Sequence, residues 1–166
     1  MFVTDNGSCY HLRSGGDGWA FPMAVMILSL IALVVGCGAG TEAEERKDAY
    51  MKIRIMVGTE SLEGVLYENP TSRDFASRLP LDIELEDYAG KEKVHSFSRK
   101  LSLEGAPAGS QGMAGDITYY SPWGNLAIFY RDHGYASGLV SLGRLEKPAK
   151  LAELCKKSCQ IRIEAM

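Results

Sequence analysis

Strict alternation of apolar and polar side chains in several short segments restricts the fold of this chain more than any other feature. The alternation is clearest in the segment LDIELEDY, where single acidic residues separate Leu81, Ile83 and Leu85. Successive side chains of a β-strand point to opposite faces, so the segment is expected to form a strand with one buried face and one face in water. Such a strand needs other strands against which to bury its apolar side.

The polar face of this predicted strand carries Asp82, Glu84 and Glu86. Three neighbouring carboxylates suggest a cation site, but calcium sites usually take their oxygen ligands from bent loops. The expected arrangement is therefore a face exposed to water, which Lys91 and Lys93, just beyond the predicted turn, would neutralise.

Seven more strands are predicted from alternation, composition and bounding turn residues. They are MKIRIMV, LEGVLYEN, KVHSFS, the two arms of DITYYSPWGNLAIFYR, LVSLGRL and CQIRIEAM. Short helices are predicted at NPTSRDFASRLP, with Asn69 as N-cap and Pro70 at the first helical position, and at KPAKLAELCKK. Eight strands and two short helices favour a mainly β fold with a closed or nearly closed eight-stranded barrel, because closure removes unpaired sheet edges.

The first 37 residues have the features of an export signal. Residues 24–35 form an apolar run that is too short for a membrane span of about 20 residues but suits the apolar region of a signal peptide, about 7 to 15 residues. The run ends in VVGCG, which is similar to a bacterial lipobox, so Cys37 is the predicted lipidation site at the end of a signal peptide over residues 1–37. Residues 38–49 are expected to form a flexible linker to one domain over residues 50–166.

The predicted localisation is the bacterial cell envelope, with a lipid anchor at Cys37 as the contact with the membrane. Two departures from the lipobox pattern leave alternatives open. Val34 replaces the usual leucine, and the region before the apolar run has a single cation, Arg13. The alternatives are a secreted protein and an uncleaved signal anchor.

Charge and motif content exclude several functional classes. The formal net charge of −3 gives no basic field to attract nucleic acid, so no nucleic-acid partner is predicted. The sequence has neither a phosphate-binding glycine loop nor a dinucleotide fingerprint, and no cofactor is predicted. None of the three histidines has a second histidine or a cysteine at metal-ligand spacing, so no metal site is predicted either.

Cys155 and Cys159 leave two interpretations open. Their spacing is poor for a disulfide within a regular helix, but a bond becomes possible if the predicted helix ends between them. Such a bond can form in an exported protein. Otherwise the two residues are structural thiols.

The segments LYENPTSRDFASRLPL, LEDYAGKEK, RKLSLEGAPAG, GDITYYSPWGNLAIFY and GYASGLVSLGRL follow one another between Met51 and Glu164. Together they resemble the small bacterial proteins of cyclophilin-like fold, a mostly uncharacterised family. The resemblance implies an eight-stranded barrel with two helices. True cyclophilins use an arginine to polarise a prolyl amide and carry Phe-His-Arg and Gln-Gly-Gly-Asp segments, of which HSFSRK and SQGMAGD retain only altered traces.

Candidate binding residues come from the aromatic hairpin and from the glycine-rich segments beside it. Tyr119 and Tyr120 must face opposite ways, so one of them lies outside the core or at its rim. Trp123 lies in a turn, where its indole can cap the core or contact a ligand. Segments 99–115 and 132–138 are expected to be surface loops, which commonly carry function. The predicted ligand-binding residues are Arg99, Tyr120, Trp123, His133 and Tyr135.

Three functions remain open, and no catalytic residue is predicted. They are a binding module for a small ligand or peptide, a diverged peptidyl-prolyl isomerase, and a non-catalytic structural or interaction domain at the envelope. Asp132 could orient His133 as a base, but a solvated turn histidine is the expected interpretation. A pocket with convergent polar groups at the barrel wall or mouth favours the first function, and a filled interior without a cleft favours the third.

Overall fold

Ten strands and two helices occur within residues 48–166, the part of the chain that this computed structural model describes. The strands are β1 (Ala49–Val57), β2 (Glu60–Tyr67), β3 (Leu81–Tyr88), β4 (Glu92–Ser96), β5 (Gly109–Gly112), β6 (Asp116–Tyr120), β7 (Asn125–Phe129), β8 (Gly134–Ser137), β9 (Leu139–Leu145) and β10 (Ser158–Ala165). The helices are α1 (Pro70–Ala76) and α2 (Pro148–Leu154). The predicted signal peptide, its Cys37 and most of the predicted linker lie outside the described residues.

Eight of the strands form a closed antiparallel barrel, which confirms the predicted mainly β fold. They follow one another around the barrel in the order β1-β10-β3-β4-β7-β6-β9-β2. Strand β1, for example, pairs with β10 on one side and with β2 on the other. Its Ile55 lies opposite Ile163 of β10 and opposite Leu62 of β2. Because each of these strands has a partner on both sides, the barrel has no open sheet edge.

Apolar side chains fill the barrel interior, as the alternation predicted. Ile53 and Ile55 of β1 and Leu85 of β3 are fully buried in one cluster, together with Tyr119 and Leu126 of the aromatic hairpin. The interior is therefore a packed core, and a ligand site has to be sought on the outside of the barrel.

Helix α1 has the boundaries that its sequence predicted. The Asn69 side chain accepts a hydrogen bond from the Ser72 N–H at 2.8 Å, which satisfies a free donor of the first turn. Asn69 Nδ2 donates to the Ser141 carbonyl oxygen at 3.1 Å and so connects the helix to β9, while Phe75 is buried in the core. Neither helix of this part of the chain is long and apolar enough to cross a membrane.

The prediction of two surface loops was wrong, because each of them contains a short strand. β5 comes from the first segment and β8 from the second, and they pair with Gly109 opposite Ser137. The pair forms a separate two-stranded sheet. It packs on the outside of the barrel, where Ser110 Oγ donates to the Leu139 carbonyl oxygen at 3.0 Å.

Glycine explains why alternation did not reveal β5. A β-carbon on Gly112 would lie 2.8 Å from the Phe129 ring, so the strand can approach the barrel this closely only with glycine at the position. The strand therefore packs through its backbone, and its sequence GSQG carries no alternating apolar side chains.

Lys93 was predicted to neutralise Asp82, Glu84 and Glu86, but it pairs with a different carboxylate of β3, Asp87. The three carboxylates are exposed, as expected, but Lys93 lies opposite Ile128 with its side chain only 1% exposed. Its Nζ is 2.6 Å from Asp87 Oδ1 and donates to the Lys156 carbonyl oxygen at 3.0 Å. Tyr130 donates to the same Asp87 oxygen at 2.6 Å, and its burial, followed by this bond, raises the pKa of Tyr130 to about 12.

Cys155 and Cys159 form a disulfide. Helix α2 ends at Leu154, so Cys155 lies at its C-cap and Cys159 already belongs to β10. The two Cα atoms are 5.2 Å apart, which a disulfide can bridge. The sequence left open either a disulfide or two structural thiols, and the structure contains the disulfide.

Loss of this disulfide is expected to lower the free energy of unfolding by about 2 kcal/mol, the chain-entropy estimate for so short a loop. Urea unfolding of the full chain should give a lower midpoint for Cys159→Ser than for the wild type. The wild type in reductant should match the variant. Equal midpoints for the wild type with and without reductant would contradict this expectation.

Candidate functional site

A cleft of about 190 Å³ lies on the outer wall of the barrel beside the two-stranded sheet. One side consists of outward-facing residues of β3, β4, β6 and β7, and the other comes from the segment around β8 and the start of β9. The lining residues are Tyr88, Glu92, Val94, Tyr120, Trp123, Asn125, Phe129, His133, Ala136 and Leu139. We call this space the outer-wall cleft.

Strand register brings these side chains together from distant parts of the sequence. Glu92 of β4 lies opposite Tyr88 of β3 and opposite Phe129 of β7. Asn125 of β7 lies opposite Tyr120 of β6. Side chains of directly opposed residues project to the same face of a sheet, so all five point to the outside of the barrel.

The outer face of β7 is buried although it lies outside the barrel. Ala127 and Phe129 pack with Leu139 in a second apolar cluster beside the two-stranded sheet. A strand buried on both faces has a nearly continuous apolar sequence, and NLAIF fits that description. This cluster forms the apolar floor of the outer-wall cleft.

Three aromatic rings form the rim of the cleft. The Trp123 residue is 61% exposed, so its indole does not cap the core. The rings of Tyr88 and Tyr120 stand at 85° and 80° to the indole, with centroids 5.6 Å and 5.5 Å from it. Edge-to-face contacts of this kind are favourable, and they fix the positions of the three rings relative to one another.

Asn125, which lines the cleft, carries an unpaired polar atom. The residue is 4% exposed, and its Nδ2 donates to the Leu126 carbonyl oxygen at 3.3 Å. Its Oδ1 is buried and has no hydrogen-bond partner within residues 48–166. An unpaired buried polar atom costs about 1 to 3 kcal/mol, so a ligand that donates a hydrogen bond to Oδ1 would gain from the arrangement.

Glu92 brings a carboxyl group to the same cleft. Burial raises its pKa above the ordinary value of 4.5. The described residues that line the cleft include neither a lysine nor an arginine, so none of them offers a permanent positive charge to this carboxylate. The residues that line the cleft therefore combine an unpaired amide oxygen, a carboxyl group and three aromatic rings.

His133 closes one side of the cleft by stacking on Phe129, with ring centroids 5.7 Å apart and planes 25° from parallel. Its neighbour Asp132 accepts a hydrogen bond from the Ala114 N–H at 2.9 Å. Within residues 48–166, no three histidine, cysteine or acidic side chains come together as a metal site would require. The arrangement suits contact with a ligand better than proton transfer.

Comparison with known families identifies the domain. The family described as the cyclophilin-like family matches residues 55–164 of the chain. The chain belongs to this cyclophilin-like family. The solution structure of the hypothetical protein AF2241 from Archaeoglobus fulgidus has a similar fold, with a TM-score of 0.50 and 18% identity over 74% of this chain and 99% of that chain. Comparison with curated proteins gave no match.

Three of the five predicted binding residues meet in the cleft of this cyclophilin-like domain. They are Tyr120, Trp123 and His133. Arg99 lies elsewhere, with its side chain 75% exposed and its guanidinium 3.7 Å from the Asp74 carboxylate. Tyr135, on β8, is 64% exposed and does not line the cleft.

The sequence prediction missed Tyr88, Glu92 and Asn125. One signal was available: Tyr88 continues the polar face of LDIELEDY, where an aromatic ring is out of place. Glu92 and Asn125 gave no such signal, because their meeting depends on β4 lying between β3 and β7 in the barrel.

A larger cavity of about 500 Å³ lies beside Pro70, the first residue of α1, but is a weaker candidate. Two of its polar side chains already form hydrogen bonds within the protein. Asn69 bonds to Ser72 and Ser141, and Ser110 bonds to Leu139. The cyclophilin-like domain thus offers its unpaired acceptor in the smaller outer-wall cleft.

Glu92→Gln is expected to stabilise the ligand-free protein at neutral pH by an amount on the order of 0.5 kcal/mol. Because burial raises the Glu92 pKa, its contribution to stability is present below the unfolded pKa and is lost as pH rises through the folded pKa. Urea unfolding at several pH values should show the gain above that range and little difference near pH 3. A variant that is less stable at neutral pH would contradict the burial argument.

Proposed function

We propose that this cyclophilin-like domain is a binding module that holds a small ligand, or one side chain of a peptide, in the outer-wall cleft. The observation that carries the proposal is the buried Oδ1 of Asn125, a residue that lines the aromatic cleft, because this oxygen has no partner among the described residues. Buried polar atoms in folded proteins are nearly always paired, so a donor supplied by a ligand accounts for this one.

The dimensions of the cleft support a small binding group. Its volume of about 190 Å³ is below the range of about 300 to 1,000 Å³ that is typical of pockets for drug-sized ligands. Phe129 and Leu139 supply apolar contact at the floor, and Trp123 extends into solvent at the rim. A larger ligand would place one group inside and leave the rest in water.

The same cleft does not favour a prolyl isomerase. Since its described lining residues include no arginine or lysine, none can polarise a prolyl amide as the arginine of true cyclophilins does. In a protease-coupled assay with a proline peptide, the full chain at micromolar concentration is expected to give no acceleration above background. Acceleration that Trp123→Ala removes would contradict this expectation.

Fluorescence titration of the full chain tests the binding proposal. Trp19 and Trp123 are the two tryptophans, so a Trp19→Phe variant reports from Trp123 alone. The probes are small amines, alcohols and amides, and capped amino-acid amides. A saturable change is expected for at least one probe. Tyr120→Ala should weaken that binding about tenfold, because a few aromatic contacts commonly supply most of a binding energy.

Tyr135→Ala is the matched control, because it removes an exposed tyrosine that does not line the cleft. Its affinity should equal that of the parent. Equal losses in the two tyrosine variants, or no saturable change with any probe, would contradict the proposed site and favour a structural or interaction domain.

We also propose that the chain is exported and anchored to the bacterial membrane by lipid on Cys37. The Cys155–Cys159 disulfide supports export, because disulfides form and persist in oxidising compartments. In a bacterial host, Cys37→Ser should abolish incorporation of labelled palmitate. Unchanged labelling would contradict lipidation at this residue.

A further inference from the structure

The chemistry of the outer-wall cleft is one-sided. Three aromatic residues, Tyr88, Tyr120 and Trp123, line its rim, and Asn125 Oδ1 is a buried acceptor. Glu92 adds a carboxyl group, while no lysine or arginine occurs among the described lining residues. A ligand complementary to this set has to be positively charged, apolar around its charge, and able to donate a hydrogen bond.

We propose that the cleft recognises an alkylated ammonium group that retains one N–H, such as a dimethylammonium group. The inference rests on the proposed binding function and names the ligand class of the same site. The N–H would donate to Asn125 Oδ1, the methyl groups would contact the rings, and Glu92 would compensate the charge.

The aromatic geometry supports a cation over a neutral apolar group. A cation is attracted to the negative face of an aromatic ring, most strongly to an indole. Both tyrosine rings stand nearly perpendicular to the indole, and all three residues line the same cleft. Recognition of methylated ammonium groups by aromatic cages uses this arrangement.

The polar groups exclude the other simple ligand classes. An anion would approach Glu92 without an arginine or lysine in the described cleft to balance the repulsion. A neutral hydrocarbon would leave Asn125 Oδ1 unpaired and bury the Glu92 carboxyl further. A primary ammonium group carries three N–H donors and no methyl groups, so it would make less contact with the three aromatic rings than a methylated one.

Three small probes of similar size distinguish the contribution of the ligand's positive charge to binding from the contribution of its N–H group. They are 2-(dimethylamino)ethanol, which is protonated at neutral pH and keeps one N–H, choline, which is charged without an N–H, and 3,3-dimethylbutan-1-ol, the neutral isostere of choline. In the Trp19→Phe chain, both cations are expected to bind about tenfold tighter than the alcohol, which corresponds to about 1.4 kcal/mol. The dimethylamino compound should bind tighter than choline.

Two variants test the assigned contacts. Glu92→Gln keeps the size of the side chain and is expected to fold at least as stably as the parent. A reduced preference of this variant for cations over the alcohol would therefore result from the lost charge and not from a lost structure. In isothermal titration calorimetry, which does not depend on the tryptophan that this variant removes, Trp123→Ala should abolish measurable binding of both cations. Tyr135→Ala should change neither affinity, because Tyr135 lies outside the cleft.

A fourth probe distinguishes the two sources of this group. If the capped amide of dimethyl-lysine binds tighter than 2-(dimethylamino)ethanol, the group belongs to a peptide side chain, and if it binds more weakly, the group belongs to a free small molecule. Saturable binding of the alcohol as tight as that of choline would overturn the ligand class and leave the proposed binding function in place. Absence of binding by every probe, including the neutral panel, would overturn both.

Discussion

Replacement of Gly143 by alanine is expected to lower the free energy of unfolding by about 3 kcal/mol, near the upper end of the usual cost of overpacking. Gly143 lies in β9, opposite Leu66 of β2 and Ile117 of β6. A β-carbon there would overlap the Val65 carbonyl oxygen and lie 2.9 Å from Leu66 Cα. Since these are backbone atoms, a strand has to move and the β2–β9 seam of the barrel has to open.

Urea unfolding followed by circular dichroism measures the loss, and Gly134→Ala is the matched control. Gly134 has a φ of +84° and open space around its β-carbon position, so alanine there should cost only the strain of about 1 to 2 kcal/mol of a left-handed backbone. Equal free energies of unfolding for the two variants would show that the close approach of β2 to β9 is not the reason for glycine at position 143.

Lys93→Met is expected to lower the free energy of unfolding by about 2 kcal/mol at neutral pH. Removing one partner of a buried ion pair usually costs about 3 to 5 kcal/mol. The Asp87 side chain is 27% exposed and keeps the hydrogen bond from Tyr130, so a smaller loss is expected here. Methionine fills most of the space of the lysine stem, so the loss reports chiefly the charge and its hydrogen bonds.

The pH dependence of this loss has a defined sign. Burial alone would raise the pKa of Asp87, but hydrogen bonds from Lys93 and Tyr130 and the charge of Lys93 lower it below 3.8. The carboxylate therefore contributes stability above the unfolded pKa, and this contribution is lost as pH falls through the folded pKa. The difference between wild type and Lys93→Met should be largest near neutral pH and shrink below about pH 4.

Lys91→Met is the control for the lysine variant. Lys91 is exposed in the same turn region, and its replacement should change stability by less than about 0.5 kcal/mol. Equal effects of the two lysine variants at neutral pH would contradict a specific role for the buried ion pair.

Alternation was enough to predict the barrel, because Ile53, Leu85 and Leu126 each lie on the apolar face of a strand with one side in the core. It was not enough for β5 and β8, which pack on the barrel through glycine backbone and short side chains. It also misplaced Lys93, because a lysine on the inward face is tolerated only when partners such as Asp87 and Lys156 are present. Lys156 is distant from Lys93 in the sequence, and the contact between Asp87 and Lys93 is visible only in the three-dimensional structure.

The proposed binding site was predictable only in part for a related reason. Tyr120, Trp123 and His133 belong to segments whose composition indicated function. Glu92 and Asn125 do not stand out in the sequence. In the described structure they are distinguished by polar side-chain groups that are buried without a matching partner. Both residues are expected to reduce the stability of the ligand-free protein, because a buried carboxyl group and an unpaired buried acceptor are each unfavourable.

Whether the outer-wall cleft is the ligand site can be tested most directly by NMR. The residue-specific chemical shifts of the full chain are followed during titration with 2-(dimethylamino)ethanol. The largest shifts are expected at the side-chain amide of Asn125, the indole N–H of Trp123 and the backbone amide of Glu92. Shifts that instead cluster at Asn69 and Ser110, around the larger cavity, or no saturable shifts in the cleft, would contradict binding at this site.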